Sequence, residues 1–197
     1  MSLKDLDSSI NLIYDNSKGS IEKELFIPLM QNAKNYYRGV GFFSSSWLKV
    51  ALNGIEDIVK NNGKIYLITS PKITSKDYDA IMRGNDAQQD EVLYNIIVEE
   101  MKSFSDDESK YVLSFLSWLI ANDYVEIKFA ICKNGVGMYH DKLAIFEDDE
   151  NIVCVHGSIN ASLNATFNGE AVSVFKDWGV GKEYCNIHKN RFFVENE

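Results

Sequence analysis

The stretch from Tyr36 to Thr69 constrains the fold most. Tyr36 to Phe43 places Tyr37, Val40, Phe42 and Phe43 among small residues and reads as a strand. Ser44-Ser45-Ser46 offers a cap for a helix whose apolar face is Trp47, Val50, Ala51, Ile55, Ile58 and Val59. Asn61-Asn62-Gly63 stops that helix, because Asn and Gly accept the left-handed conformation of a helix end. Lys64 to Thr69 is a second strand, closed by Ser70-Pro71. A helix between two strands carries the chain back across the sheet, so the strands pair in parallel with a right-handed crossover. All-helical and purely antiparallel folds are thereby excluded.

The remaining segments extend this pattern. Ile10 to Tyr14 is a short strand or arm, broken at Ser17-Lys18-Gly19-Ser20. Ser20 can cap a helix carrying Ile21, Leu25 and Leu29. The middle reads as helical. One helix starts at Asp86 with Val92, Ile96 and Ile97 inward. A second starts at a capping box formed by Ser105 and Glu108, with Val112, Phe115, Leu116 and Leu119 buried. Tyr124 to Cys132 alternates as a half-buried strand, followed by a turn at Asn134-Gly135-Val136-Gly137. Leu143 to Phe146 and Ile152 to Val155 form a hairpin around the acidic tip Glu147 to Glu150. Ala171 to Phe175 is a strand and Lys182 to Val194 a helix. The expected fold class is α/β: a mixed β-sheet flanked by helices on both faces. Residues 1–197 suit a single domain, and the uncapped tail Phe192 to Glu197 suggests a fragment of a longer protein.

The net charge of −9 disfavours a general nucleic-acid binder, so any contact with phosphate must come from local groups. Lys176, Lys182, Lys189 and Arg191 read as a solvated helix face rather than a track for DNA. No apolar run is long enough to span a membrane, and the first residues carry no signal-peptide run. Cys132, Cys154 and Cys185 lack CxxC spacing, which argues against a zinc site or a disulfide framework. Cys132 and Cys154 read as small core residues and the location as cytoplasmic. No metal or other cofactor is expected. The acidic tip has metal-ligand residue types but matches no known loop spacing, and it reads as solvated.

The chemistry gathers between Tyr139 and Phe175. His140 and Lys142 stand two apart at the start of a strand, so both project to one face while Asp141 points away. Gly157-Ser158-Ile159-Asn160 follows the end of a later strand, and Asn168-Gly169-Glu170 opens the next. An imidazole, an ammonium, a hydroxyl, an amide and a carboxylate form the set that phosphodiester cleavage needs. A nucleophile attacks phosphorus, donors hold the equatorial oxygens, and an acid protonates the leaving oxygen. Lys142 and Asn160 would stabilise the phosphorane. Glu170 would hold the second nitrogen of His140, and Gly157 would let a phosphate approach the backbone. Ser44, at a strand end, is a further candidate for substrate contact.

H-x-K, G-S-x-N and N-x-E, in that order, resemble the signature of the phospholipase D (HKD) superfamily and the spacing of its small nucleases. Gly39-Val40-Gly41-Phe42-Phe43-Ser44 and Ile65 to Pro71 resemble the start of phospholipase D-like modules in bacterial restriction endonucleases and at the head of some helicases. The resemblance implies that His140 forms a phosphohistidine, with Lys142, Ser158, Asn160 and Glu170 as the other catalytic residues. The family's aspartate after the lysine falls here in Glu147-Asp148-Asp149, with Asp148 the nearest candidate.

That chemistry uses two histidines, one as nucleophile and one as acid, and the chain has one H-x-K. His156 and His188 lack a lysine at +2. His156 reads as a packed strand histidine and His188 as part of an exposed helix face. Single-motif members of the family dimerise, so the resemblance implies a homodimer with a shared active site. The expectation is a metal-independent endonuclease acting on nucleic acid, DNA in the first place, in a restriction or helicase-associated system. A C-terminal helicase or DNA-binding domain would complete the full protein. The alternatives are a non-catalytic DNA-docking or dimerisation module, and a phospholipase.

Overall fold

The computed structural model describes residues 2–72, 74–103, 108–131 and 137–194. Ser105 of the expected capping box, Cys132 and the turn residues Asn134 to Val136 lie outside them.

Seven strands among the described residues form one mixed sheet: β1 (Ile13–Asp15), β2 (Asn35–Val40), β3 (Lys64–Thr69), β4 (Val125–Phe129), β5 (Lys142–Glu147), β6 (Ile152–Gly157) and β7 (Ala171–Lys176), in the order β1-β7-β6-β5-β2-β3-β4. β2, β3 and β4 are parallel, as their helical crossovers require. β5, β6, β7 and β1 are antiparallel. The halves join where β5 runs antiparallel to β2, with Val40 opposite Lys142.

Helices α1 (Ile27–Asn32), α2 (Trp47–Lys60), α3 (Ser75–Ala87), α4 (Glu91–Ser103) and α5 (Glu108–Ala121) precede β5, and α6 (Lys182–Val194) follows β7. Strand alternation sends Tyr36, Val40, Ile65, Leu67, Ala144, Phe146, Val153 and Val155 into the main core, against Leu29 and Met30 of α1, Ile55 of α2, Ile81 of α3 and Leu119 of α5. Tyr37, Ile68, Leu143, Ile145 and Cys154 face the other way, onto Cys185 and Phe192 of α6. Helices therefore cover both faces, unequally. None of the described helices is long and apolar enough to cross a membrane.

Several local expectations need correction. No helix starts at Asp86. That residue closes α3, and Asp90 opens α4 by accepting from the amides of Val92 and Leu93. On α4, Ile97 is buried while Val92 and Ile96 are exposed, because the helix lies on the outside of α3 and α5. The three serines do not cap α2 through a side chain: Ser46 is already helical, and the Ser45 amide donates to Asp77 of α3. The helix at Ser20 opens with a π turn from Glu22 to Phe26, with the Ser20 hydroxyl accepting from the Lys23 amide. At the end of α2, Asn62 alone takes the left-handed conformation, with φ 51°.

Candidate functional site

The C-terminal end of β2, the start of β5, the end of β6 and the start of β7 lie at one end of the sheet, as their registers dictate. His140 precedes β5 and is exposed. Lys142 is the first residue of β5 and only 7% exposed. The Lys142 Nζ lies 2.8 Å from both ring nitrogens of His140 and donates to the His140 carbonyl at 2.9 Å. Equidistant from the two nitrogens, the ammonium lies against the ring rather than along one nitrogen's lone pair, and its donated hydrogen bond goes to the His140 carbonyl. Burial pulls the Lys142 ammonium below its ordinary value, and the charge of Glu170 opposes that.

Gly41, just past β2, makes room for the histidine. A Cβ there would stand 2.9 Å from His140 Cδ2 and 3.2 Å from His140 Cα. Tyr139 packs in the same way over Gly39, where a Cβ would meet its Oη at 2.3 Å. The two glycines of the Gly39 to Ser44 stretch thus form the floor under Tyr139 and His140.

The Asn160 loop is stitched to the continuation of β2. The Phe42 amide donates to Asn160 Oδ1 at 3.2 Å, and the Ser44 amide donates to the Ala161 carbonyl at 3.0 Å. Ser44 therefore holds the loop through its backbone, while its hydroxyl lies 3.0 Å from that of Ser46 in a groove with Lys49 and Lys76. Glu170, 8% exposed, precedes β7 and accepts from Asn168 Nδ2 at 3.4 Å.

Four expected placements differ in the structure. Among the described residues no hydrogen bond joins Glu170 to His140; Glu170 acts on Lys142 by charge instead. The space over Gly157 is filled by β7 rather than left for a phosphate: a Cβ there would lie 2.2 Å from the Ala171 carbonyl. The Ser158 hydroxyl is spent on the same strand, accepting from the Ala171 amide at 3.1 Å and donating to its carbonyl at 3.4 Å. Asp148 lies at the opposite end of β5, about 20 Å of strand away. It accepts from the amides of Leu3, Glu150 and Asn151. Burial pushes its carboxyl up, and those donors outweigh burial and hold it below its ordinary value.

On the α6 face, Asp141 points away from His140 and Lys142, as alternation predicts. It accepts from His156 Nε2 at 3.1 Å and pairs with Arg191. His188 is not exposed. It is 8% accessible, its ring 5.1 Å from that of His156, and burial and the His156 charge lower its pKa. Lys176 and Lys189 pair with Asp7 and Glu147, so with Arg191 on Asp141, three of the four basic residues read as a solvated face are engaged within the fold. Among the described residues no group of three or more His, Cys, Asp or Glu is placed to hold a metal ion.

No family model and no curated protein matches the chain. Among solved structures it is similar to NucT from Helicobacter pylori, with a TM-score of 0.55 and 15% identity over 93% of this chain and 92% of that one. It is also similar to Nuc from Salmonella typhimurium, described as a phospholipase D family member, with a TM-score of 0.48 and 12% identity over 82% of this chain and 79% of that one. At these identities the likeness is one of fold: the chain folds as NucT does over nearly the whole of both chains. Within that fold, two contributors were not legible as site residues from their own neighbourhoods. One is Gly41, whose importance is a tertiary contact with a residue 99 positions later (140 − 41). The other is Arg38, a buried cation under the Asn160 loop, signalled only as a lone charge in an apolar strand.

Proposed function

We propose that the chain is a phosphodiesterase that cleaves nucleic acid, DNA in the first place, by a metal-independent route through a phosphohistidine. The observation that carries this is the buried Lys142 ammonium held 2.8 Å from the His140 ring, at a sheet end where the Asn160 and Glu170 segments converge. A lone-pair nitrogen of His140 attacks phosphorus. The N–P bond forms as the P–O bond to the leaving group breaks, and Lys142 and the Asn160 amide NH₂ take up the developing oxygen charge. Water then attacks the phosphohistidine, breaks the N–P bond and restores the imidazole. Glu170 sustains the charge of Lys142. The leaving oxygen needs a proton, and His140 of a second copy across a two-fold axis would supply it. The resemblance of the Gly39 to Ser44 and Ile65 to Pro71 segments to restriction and helicase-linked modules supports that setting.

The test is cleavage of plasmid and of a synthetic phosphodiester in EDTA. The parent is expected to cut, and His140→Ala to be inactive while remaining folded. Strict dependence on Mg²⁺, or an active His140→Ala, would falsify the mechanism. Sedimentation with a non-cleavable substrate tests the shared site, and an active monomer would refute it.

A further inference from the structure

Arg38 sits within β2, facing the main core, and is 1% exposed, the largest fully buried side chain. Burying a guanidinium is costly unless its donors and its charge are met. Here they are met sparsely. Nη2 donates to the Ile159 carbonyl at 2.6 Å, and the guanidinium lies 4.8 Å over the Phe26 ring. Nε and Nη1 have no hydrogen-bond partner among the described residues. Glu22, also 1% exposed, is buried nearby, and burial outweighs the Arg38 charge and holds its carboxyl above the ordinary value. Both Glu22 carboxylate oxygens and the Tyr36 hydroxyl are likewise buried without a partner among the described residues.

Stability does not account for such a group, since a buried guanidinium with two unpartnered nitrogens costs more than an apolar side chain of similar volume would. What Arg38 supplies is a grip on one carbonyl, that of the residue before Asn160. Phe42 and Ser44 hold the next two residues through Asn160 Oδ1 and the Ala161 carbonyl. Three consecutive loop residues are thus fixed from β2 and its continuation. The Ile159 carbonyl shares a peptide plane with the Asn160 nitrogen, so holding it fixes the plane from which the Asn160 side chain departs.

We propose that Arg38 is a positioning residue that acts through the Ile159 carbonyl to aim the Asn160 amide at the phosphate. The proposal rests on the phosphodiesterase reading above.

Replacing both buried groups, Glu22→Gln with Arg38→Met, is the test. The pair is expected to fold with a urea midpoint near that of the parent. Its kcat on a phosphodiester should fall about 10- to 100-fold with KM nearly unchanged, since a displacement of about 1 Å costs about 10²-fold. In an Asn160→Ala background the same pair should cost less than about twofold, because the residue it acts through is gone. The side-chain amide resonances of Asn160 should shift or broaden in the pair. Arg38→Lys, which keeps the charge, should give a kcat between parent and pair and serves as the test if the pair does not fold. Parental kcat in either folded variant, a full loss repeated in the Asn160→Ala background, or unmoved Asn160 resonances would overturn the proposal. An inactive parent would instead refute the phosphodiesterase reading, and the Asn160 resonances would still decide whether Arg38 orders the loop.

Discussion

Gly41→Ala isolates the placement of His140 from its chemistry. Gly41 does not have a positive φ, so alanine meets no backbone strain there. Its Cβ would lie 2.9 Å from His140 Cδ2, 3.2 Å from His140 Cα and 3.3 Å from the Tyr139 carbonyl. Carbon atoms settle at about 3.5–4.0 Å, so the ring must retreat by roughly 0.6–1 Å. The retreat takes the imidazole off the Lys142 ammonium, now 2.8 Å away. Because His140 is exposed its ring can tilt outward, but the His140 Cα and Tyr139 carbonyl must also give by a few tenths of an ångström, so the stability cost should be about 1–2 kcal/mol. A nucleophile displaced by about 1 Å costs about 10²-fold in rate. The assay is kcat on a synthetic phosphodiester in EDTA, beside urea unfolding of the same preparation. Gly39→Ala is the contrast. Its Cβ would meet Tyr139 Oη at 2.3 Å, which overpacks a covered site and should cost about 1–3 kcal/mol. A Gly41→Ala enzyme with kcat within about threefold of the parent would refute the reasoning.

Lys142→Ala and Asn160→Ala should each lower kcat by about 10²- to 10³-fold with the fold intact, as removal of a donor to developing charge does; circular dichroism beside the rate checks this. Asp148→Ala should leave kcat alone and cost about 1–3 kcal/mol, since it strands amides at the far end of β5; urea unfolding reads it. The lowered pKa of His188 sets a pH dependence. The unfolded histidine titrates near about 6.5, so below that value the unfolded chain binds the extra proton first. Stability should therefore fall with acidification through that range and level off below the folded value. His188→Gln should flatten the slope in urea midpoints, and an unchanged slope would count against this account.

The strands were legible because alternating and β-branched runs, such as Lys64 to Thr69, carry their own period. Other features depend on partners far along the chain. α3 buries Ala80, Gly84 and Ala87 beside Ile81 and the polar Asp77, too few large apolar residues to give a strong stripe. His188 sits on a helix of mixed character, and its burial comes from His156 and Phe175 of the sheet. His140 and Lys142 were legible as neighbours from their spacing of two, although only Lys142 lies in β5 and its side chain reaches back to the His140 ring and carbonyl. The hydrogen-bond partners of Ser158, Gly157 and Glu170 were not, because a motif gives residue types and order but not which neighbouring strand occupies the space. Arg38 broke an apolar strand, and nothing local distinguished a buried cation from an edge residue.

The seam between β2 and β5 also bears on how the chain reaches its native state. The Asn160 loop closes onto β2 and its continuation across 118 and 121 residues, whereas β5, β6 and β7 pair with near neighbours. Contacts so distant in sequence are slow to form, because the intervening chain must be ordered first. A growing or partly folded chain can hold a finished meander from β5 to β7 and still lack the floor at Gly41 and the clasp at Arg38. On the proposed reading, a chain in which that seam has not closed would carry His140 and Lys142 without the Asn160 amide held beside them.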